Sequence, residues 1–153
     1  MIRECLIFLA IASAAALTGC GGDDEEPAGL EHDVHVHLDE WSVETEPESI
    51  AGAGTVNIGG HNHGKYPHQV TVIKTDLAAD ALPTLDDGSF DEEGEGVEVV
   101  DEIEDIAAGA DGEVTANLES GGYILLCNLV EEEDSGETES HYEEGMHAAF
   151  TVQ

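Results

Sequence analysis

A two-residue alternation of apolar and polar side chains recurs along this chain in short runs, and it constrains the fold more than any other feature. Val34-His35-Val36-His37-Leu38 alternates, as does Trp41-Ser42-Val43-Glu44. Gly54 to Ile58, His68 to Lys74, Glu113 to Leu118, Tyr123 to Val130 and His147 to Val152 follow, rich in β-branched residues and set between Gly and Asp clusters. Successive strand side chains point to opposite faces, so each run can bury one face and wet the other. Many short strands separated by turn signals predict an all-β antiparallel sandwich or barrel. Val97 to Ala107 fits two periods: Val97 and Val99 alternate, while Val97, Val100, Ile103 and Ile106 also fit a helical face. Asp76 to Glu95 is polar, with one Pro, and reads mostly as loop.

The charge narrows the function. The chain of 153 residues carries 36 Asp and Glu against 3 Lys and Arg, a formal net charge of −33. Such a surface cannot neutralise phosphates, so nucleic acid is excluded as a partner. Nor will it adhere electrostatically to anionic lipid. The partners left are cationic, a basic protein patch or a metal ion. Adaptation to high salt gives the same composition. With 41% hydrophobic residues, one modest core is within reach.

The N-terminus is expected to lie outside the fold. Arg3 precedes an apolar run from Leu6 to Leu17, which suits the core of a signal peptide and is too short to span a bilayer. It ends in Leu17-Thr18-Gly19-Cys20, which resembles the bacterial lipobox. That resemblance implies cleavage before Cys20 and lipidation of its thiol, hence anchoring at the extracytoplasmic face of the cell membrane. Residues 1–19 then form a lipoprotein signal peptide, residues 20–29 an acidic flexible tether, and residues 30–153 the folded domain. Cys5 leaves with the leader and Cys20 is lipidated, so Cys127 stands alone and no disulfide can form within the domain.

Near the C-terminus stand Gly122-Tyr123-Ile124-Leu125-Leu126-Cys127-Asn128 and His141-Tyr142-Glu143-Glu144-Gly145-Met146. Upstream lies Asn62-His63-Gly64-Lys65-Tyr66-Pro67-His68-Gln69-Val70. A thiolate, two imidazoles and a thioether form the donor set of a type 1 copper site. Soft sulfur suits Cu(I) and imidazole suits Cu(II), so such a site accepts both oxidation states with little movement. The bland alternative for each residue is a strand or loop histidine, a core thiol, or a core methionine packed beside Phe150.

In these residues the chain resembles the plastocyanin/azurin-like cupredoxins. Gly121, Tyr123 and Cys127 match the family's approach to its cysteine, and His141-x₄-Met146 matches the segment that follows. Asn62 to His68, followed by a β-branched strand, matches the region of the first histidine. The resemblance implies a Greek-key β-sandwich of about eight strands. It also implies one type 1 copper held by His68, Cys127, His141 and Met146, with an imidazole edge of His141 reaching the surface. Two features depart from the family. Thirteen residues, Asn128 to Ser140, separate Cys127 from His141, where the family has only a few. Gln69 follows the first histidine where an Asn often fixes the cysteine loop.

The reading is a membrane-anchored, monomeric electron carrier whose acidic surface steers a basic redox partner. Alternatives are a copper-handling protein that uses the same ligands, and a metal-free interaction module. No nucleophile motif or phosphate loop suggests an enzyme. His35 and His37 share a strand face, with His32 nearby, and His61 and His63 form another pair. These histidines are either an auxiliary copper or zinc site or half-exposed residues. Glu131-Glu132-Glu133-Asp134 reads as a solvated loop, with cation binding or partner docking as the alternative.

Overall fold

The computed structural model describes residues 31–132, 136 and 138–153. The leader, Cys20, the tether, Leu30, Glu133 and Asp134 lie outside the described residues.

The described residues form eleven strands and no helix. In chain order these are β1 (Val34–Asp39), β2 (Ser42–Glu46), β3 (Ser49–Ile50), β4 (Gly54–Asn62), β5 (His68–Thr75), β6 (Val97–Ile106), β7 (Asp111–Leu118), β8 (Gly121–Leu126), β9 (Val130–Glu132), β10 (Thr138–Ser140) and β11 (His147–Val152). The two sheets of the sandwich have the orders β2-β1-β4-β7 and β3-β11-β8-β5-β6, and β9 and β10 pair separately. The core lies between them. Val34, Val36 and Leu38 of β1 and Val56 and Ile58 of β4 face Val70, Val72, Tyr123, Leu125 and Phe150 of the second sheet.

The sandwich is as expected, with corrections. It is not wholly antiparallel: β1 pairs parallel with β4, and β3 parallel with β11. Between β1 and β4 the chain crosses to the other sheet and returns, and such a crossing is what parallel pairing requires. Val97 to Ala107 resolves as strand β6, paired to β5 through two register shifts. Those shifts break strict alternation and explain the ambiguous period. Tyr123 to Val130 is not one strand; β8 ends at Leu126 and β9 starts at Val130. Trp41 lies in the turn before β2 rather than in the strand.

The polar stretch from Asp76 to Glu95 is irregular, as expected, but it is more than solvated loop. It lays Leu82 and Phe90 over Ile73, Ile124, Leu126 and Tyr142 on the outer face of the second sheet. β5 and β8 are apolar on both faces, so something had to cover the outer one. The covering segment is tied down by polar contacts. Tyr142 donates its hydroxyl to the carbonyl of Ala79 at 2.9 Å and accepts from the Leu82 amide at 3.1 Å.

Candidate metal centre

Cys127 follows the end of β8 and Met146 precedes β11, so the hairpin partners deliver both to one end of the sandwich. The Cys127 amide donates to the Met146 carbonyl at 3.0 Å, and the Met146 amide donates to the His141 carbonyl at 3.0 Å. The long insertion does not separate Cys127 from His141. Val130 pairs with Ser140 and Glu132 with Thr138, so the extra residues rise as a β9–β10 hairpin. Its base is closed by the His141 amide, which donates to the Leu129 carbonyl at 2.9 Å. Gly145 completes the return at φ +106°, in the left-handed region where a side chain is strained. Glu131 and Glu132 are therefore strand residues, where a solvated loop was expected.

His68 opens β5 and faces this loop. The Nδ1 atoms of His68 and His141 lie 3.3 Å apart, and the Cys127 Sγ lies 3.8 Å from the first and 3.3 Å from the second. Metal–nitrogen bonds of about 2.0 Å and a metal–sulfur bond of about 2.3 Å would set these edges near ~3.5 Å in a trigonal plane. The residues present fit one small, thiophilic cation, and the S, N, N donor set with a neighbouring methionine fits copper. His68, Cys127, His141 and Met146 are all 0% exposed. Met146 packs in the same core cluster as Cys127.

The surroundings fix each donor. The Gln69 amide donates to the Cys127 Sγ at 3.4 Å. Burial pushes the Cys127 thiol up, opposed by the amides of Leu129 and Gln69. Burial pushes the His141 imidazole down to about 4, with the His68 charge adding to the shift and Glu40 opposing it. Burial also lowers His68, against the pull of Glu40, Glu131 and Asp39. The Nε2 atoms of both histidines are buried and without a hydrogen-bond partner. The nearest carboxylates stand at 3.7 Å (Glu40 to His68) and 4.0 Å (Glu131 to His141).

Asn62 is buried at the end of β4 and acts on a different loop from the one that carries Cys127. It donates to the carbonyls of Tyr66 and Ile106, each at 2.8 Å, and accepts from the Gly64 amide at 2.9 Å. That pins the loop leading into His68. Gln69 instead reaches Thr71 on its own strand at 3.0 Å. Asn128, beside Cys127, accepts from the Phe90 amide at 2.6 Å and donates back to the Phe90 carbonyl at 3.1 Å. Glu40 accepts from the amides of Lys65 and Tyr66, and the Lys65 bond first holds its carboxyl below the usual range.

One expectation fails here. The His141 edge does not reach the surface. Trp41 meets it edge to face, with ring centroids 5.1 Å apart, and Tyr66 stacks on Trp41 at 6.4 Å. Tyr66 is 47% exposed, so it is this aromatic pair that reaches solvent. Trp41 sits four residues past His37 in a turn, and nothing local in the sequence ties it to His141.

Two sheets closing on buried His, Cys and His donors with an adjacent Met define the cupredoxin fold. One solved structure agrees in fold. Auracyanin B superposes with a TM-score of 0.51 at 18% identity, covering 78% of this chain and 86% of that one. Reduced auracyanin from Roseiflexus castenholzii gives 0.49 at 14% identity over 78% of this chain and 94% of its own, and reduced rusticyanin gives 0.48 at 18% over 78% of each. No protein-family model matches the chain, and no curated protein matches it.

Proposed function

We propose that this chain binds one copper ion through His68, Cys127, His141 and Met146 and carries single electrons between extracytoplasmic redox partners, tethered to the membrane through Cys20. The observation that carries the reading is the convergence of three buried donor atoms within 4.8 Å of one another. Bound copper would supply a one-electron couple; the chain supplies the rest. Donors drawn from β5 and from the loop between β8 and β11 are clamped by backbone bonds, so they cannot relax far toward the geometry either oxidation state prefers. The Gln69 amide hydrogen-bonds the sulfur and tempers its charge. Trp41 and Tyr66 exclude water from His141 and offer the contact surface from which an electron leaves. The acidic surface steers a basic partner, at a rate that falls with salt.

Complete burial of the donors argues against rapid handover of copper, and so favours electron transfer over copper delivery. Their convergence argues against a metal-free interaction module.

The test is a visible absorption titration of the full-length protein with Cu(II), repeated on Cys127→Ser. An intense band should saturate at one copper per chain and vanish in the variant. An intense band that survives loss of Cys127, or a parent protein that takes up copper without one, overturns the reading.

A further inference from the structure

Five of the chain's eight histidines, none of them among the buried donors, lie on or beside the outer face of the four-stranded sheet. Pairing register explains their assembly. Across one row run Glu46, His35, Gly59 and Glu113; across the next run Glu44, His37, His61 and Asp111. Imidazoles thus fill the middle of the face and carboxylates its margins. Gly59 leaves the central place without a side chain, and the His32 ring takes it. A Cβ built on Gly59 would stand 2.2 Å from the His32 Nδ1.

We propose that His32, His35 and His61 form a second metal site, which holds one borderline divalent cation, zinc or copper(II). Their donor nitrogens lie within 4.8 Å of one another. The His35 Nδ1 and His61 Nε2 face each other at 2.9 Å. Behind His61, Asp111 takes its Nδ1 at 2.8 Å. A carboxylate on the far nitrogen fixes the tautomer that leaves Nε2 as the donor, the arrangement commonly found behind metal-binding imidazoles. Glu113 stands behind His32 in the same way, 3.4 Å from its Nε2. All three rings are half-buried, so they are held in place yet open to solvent on one side. Metal–nitrogen bonds of about 2.1 Å would place tetrahedral donors about 3.4 Å apart. The 2.9 Å His35–His61 contact then opens slightly and the His32 ring moves in, by side-chain rotation on a rigid sheet. Three neutral imidazoles with a free fourth position suit zinc or copper(II) and neither calcium nor magnesium. The site shares no residue with the buried centre and stands whether or not that centre takes copper.

The test is a titration of the full-length protein with zinc sulfate, following the ring nitrogen resonances of each histidine. His32, His35 and His61 should shift together. Bound zinc per chain should fall by one in His35→Gln and in His61→Gln, and stay unchanged in His147→Gln. Asp111→Asn, which keeps all three donors, should weaken binding about tenfold or more. A copper(II) titration separates the two metals. Copper(II) at this site gives a nitrogen-ligated paramagnetic signal without an intense visible band, lost in the same variants. Stoichiometry unchanged in His35→Gln and His61→Gln, or shifts in the parent confined to His68 and His141, overturn the proposal. Because the resonance shifts are read on the parent protein, a variant that fails to fold does not blur the result.

Discussion

His141 is a base kept neutral by its surroundings, and that neutrality has a cost that depends on pH. Its pKa falls from 6.5 to about 4, chiefly through burial. Between those values the unfolded chain binds a proton at this residue and the folded, metal-free chain does not. Stability therefore rises with pH through the window and is lost as pH falls from 6.5 toward 4. At about 1.4 kcal/mol per unit the penalty for His141 is on the order of 3 kcal/mol. His68 is lowered too and adds in the same direction. Urea midpoints of the metal-free protein at neutral and mildly acidic pH should diverge more in the parent than in His141→Gln. Equal divergence would show that carboxylates set the slope. A metal on the two Nδ1 atoms competes with the same protons, so its affinity should weaken over this window as well. His68, Cys127, His141 and Met146 stood out in the sequence because a thiol, two imidazoles and a thioether make an unusual donor set, even with thirteen residues between Cys127 and His141. Glu40, Trp41, Asn62 and Asn128 were not legible in their roles, because each acts on a partner set by topology rather than by neighbours in the chain.

At the scale of elements, the informative part is the segment between β5 and β6. Its sequence is polar enough to read as loop, yet Phe90 is 1% exposed and Leu82 6%. Two apolar residues in such a stretch leave no periodic trace, so the covering role could not be read in advance. The outer-facing apolar residues of β5 and β8 were the available signal, since Ile73, Ile124 and Leu126 need a lid. That lid also braces the metal loop: Ser140 donates to the Gly88 carbonyl at 2.8 Å, and Asn128 is bonded to Phe90 in both directions. Phe90→Ala should cost about 3–5 kcal/mol, the range for emptying a buried aromatic site. It should also loosen Asn128, which lies beside Cys127. Equilibrium unfolding reads the first effect. Faster loss of bound copper to a chelator, measured at a temperature where the variant stays folded, reads the second. A variant with lowered stability and unchanged copper release would show that the lid supports the sheet and leaves the centre alone. The β9–β10 hairpin teaches a related lesson. Thirteen intervening residues leave Cys127 beside His141 because Leu129 and His141 close the base of the hairpin.

On the whole molecule, the alternation that marked the strands also sorts the charge. Acidic side chains take the outward positions, as in β6, where Glu98, Glu102 and Glu104 are exposed around buried Ile103. Almost nothing balances them. Lys74 of β5 pairs with Glu119 in the connection between β7 and β8, and Lys65 is the other lysine. Repulsion is already felt locally. Burial first, then Glu104, Glu92 and Asp101, raise the Glu102 carboxyl. Folding gathers most of the acids behind the net −33 onto one small surface, whereas the unfolded chain spreads them over a far larger volume. Salt should therefore stabilise this protein through screening. Between about 0.1 M and about 1 M NaCl the Debye length falls from about 10 Å to about 3 Å, shorter than most spacings between surface charges. Urea midpoints should rise across that range. The rise should be larger than that produced by an uncharged osmolyte chosen to match the general salting-out effect. The same screening should slow association with a basic partner, so stability and encounter rate should move in opposite directions with salt. A flat urea midpoint would mean that the acids are already spaced widely enough to be independent. The composition would then serve solubility, with no strain in the fold for salt to relieve.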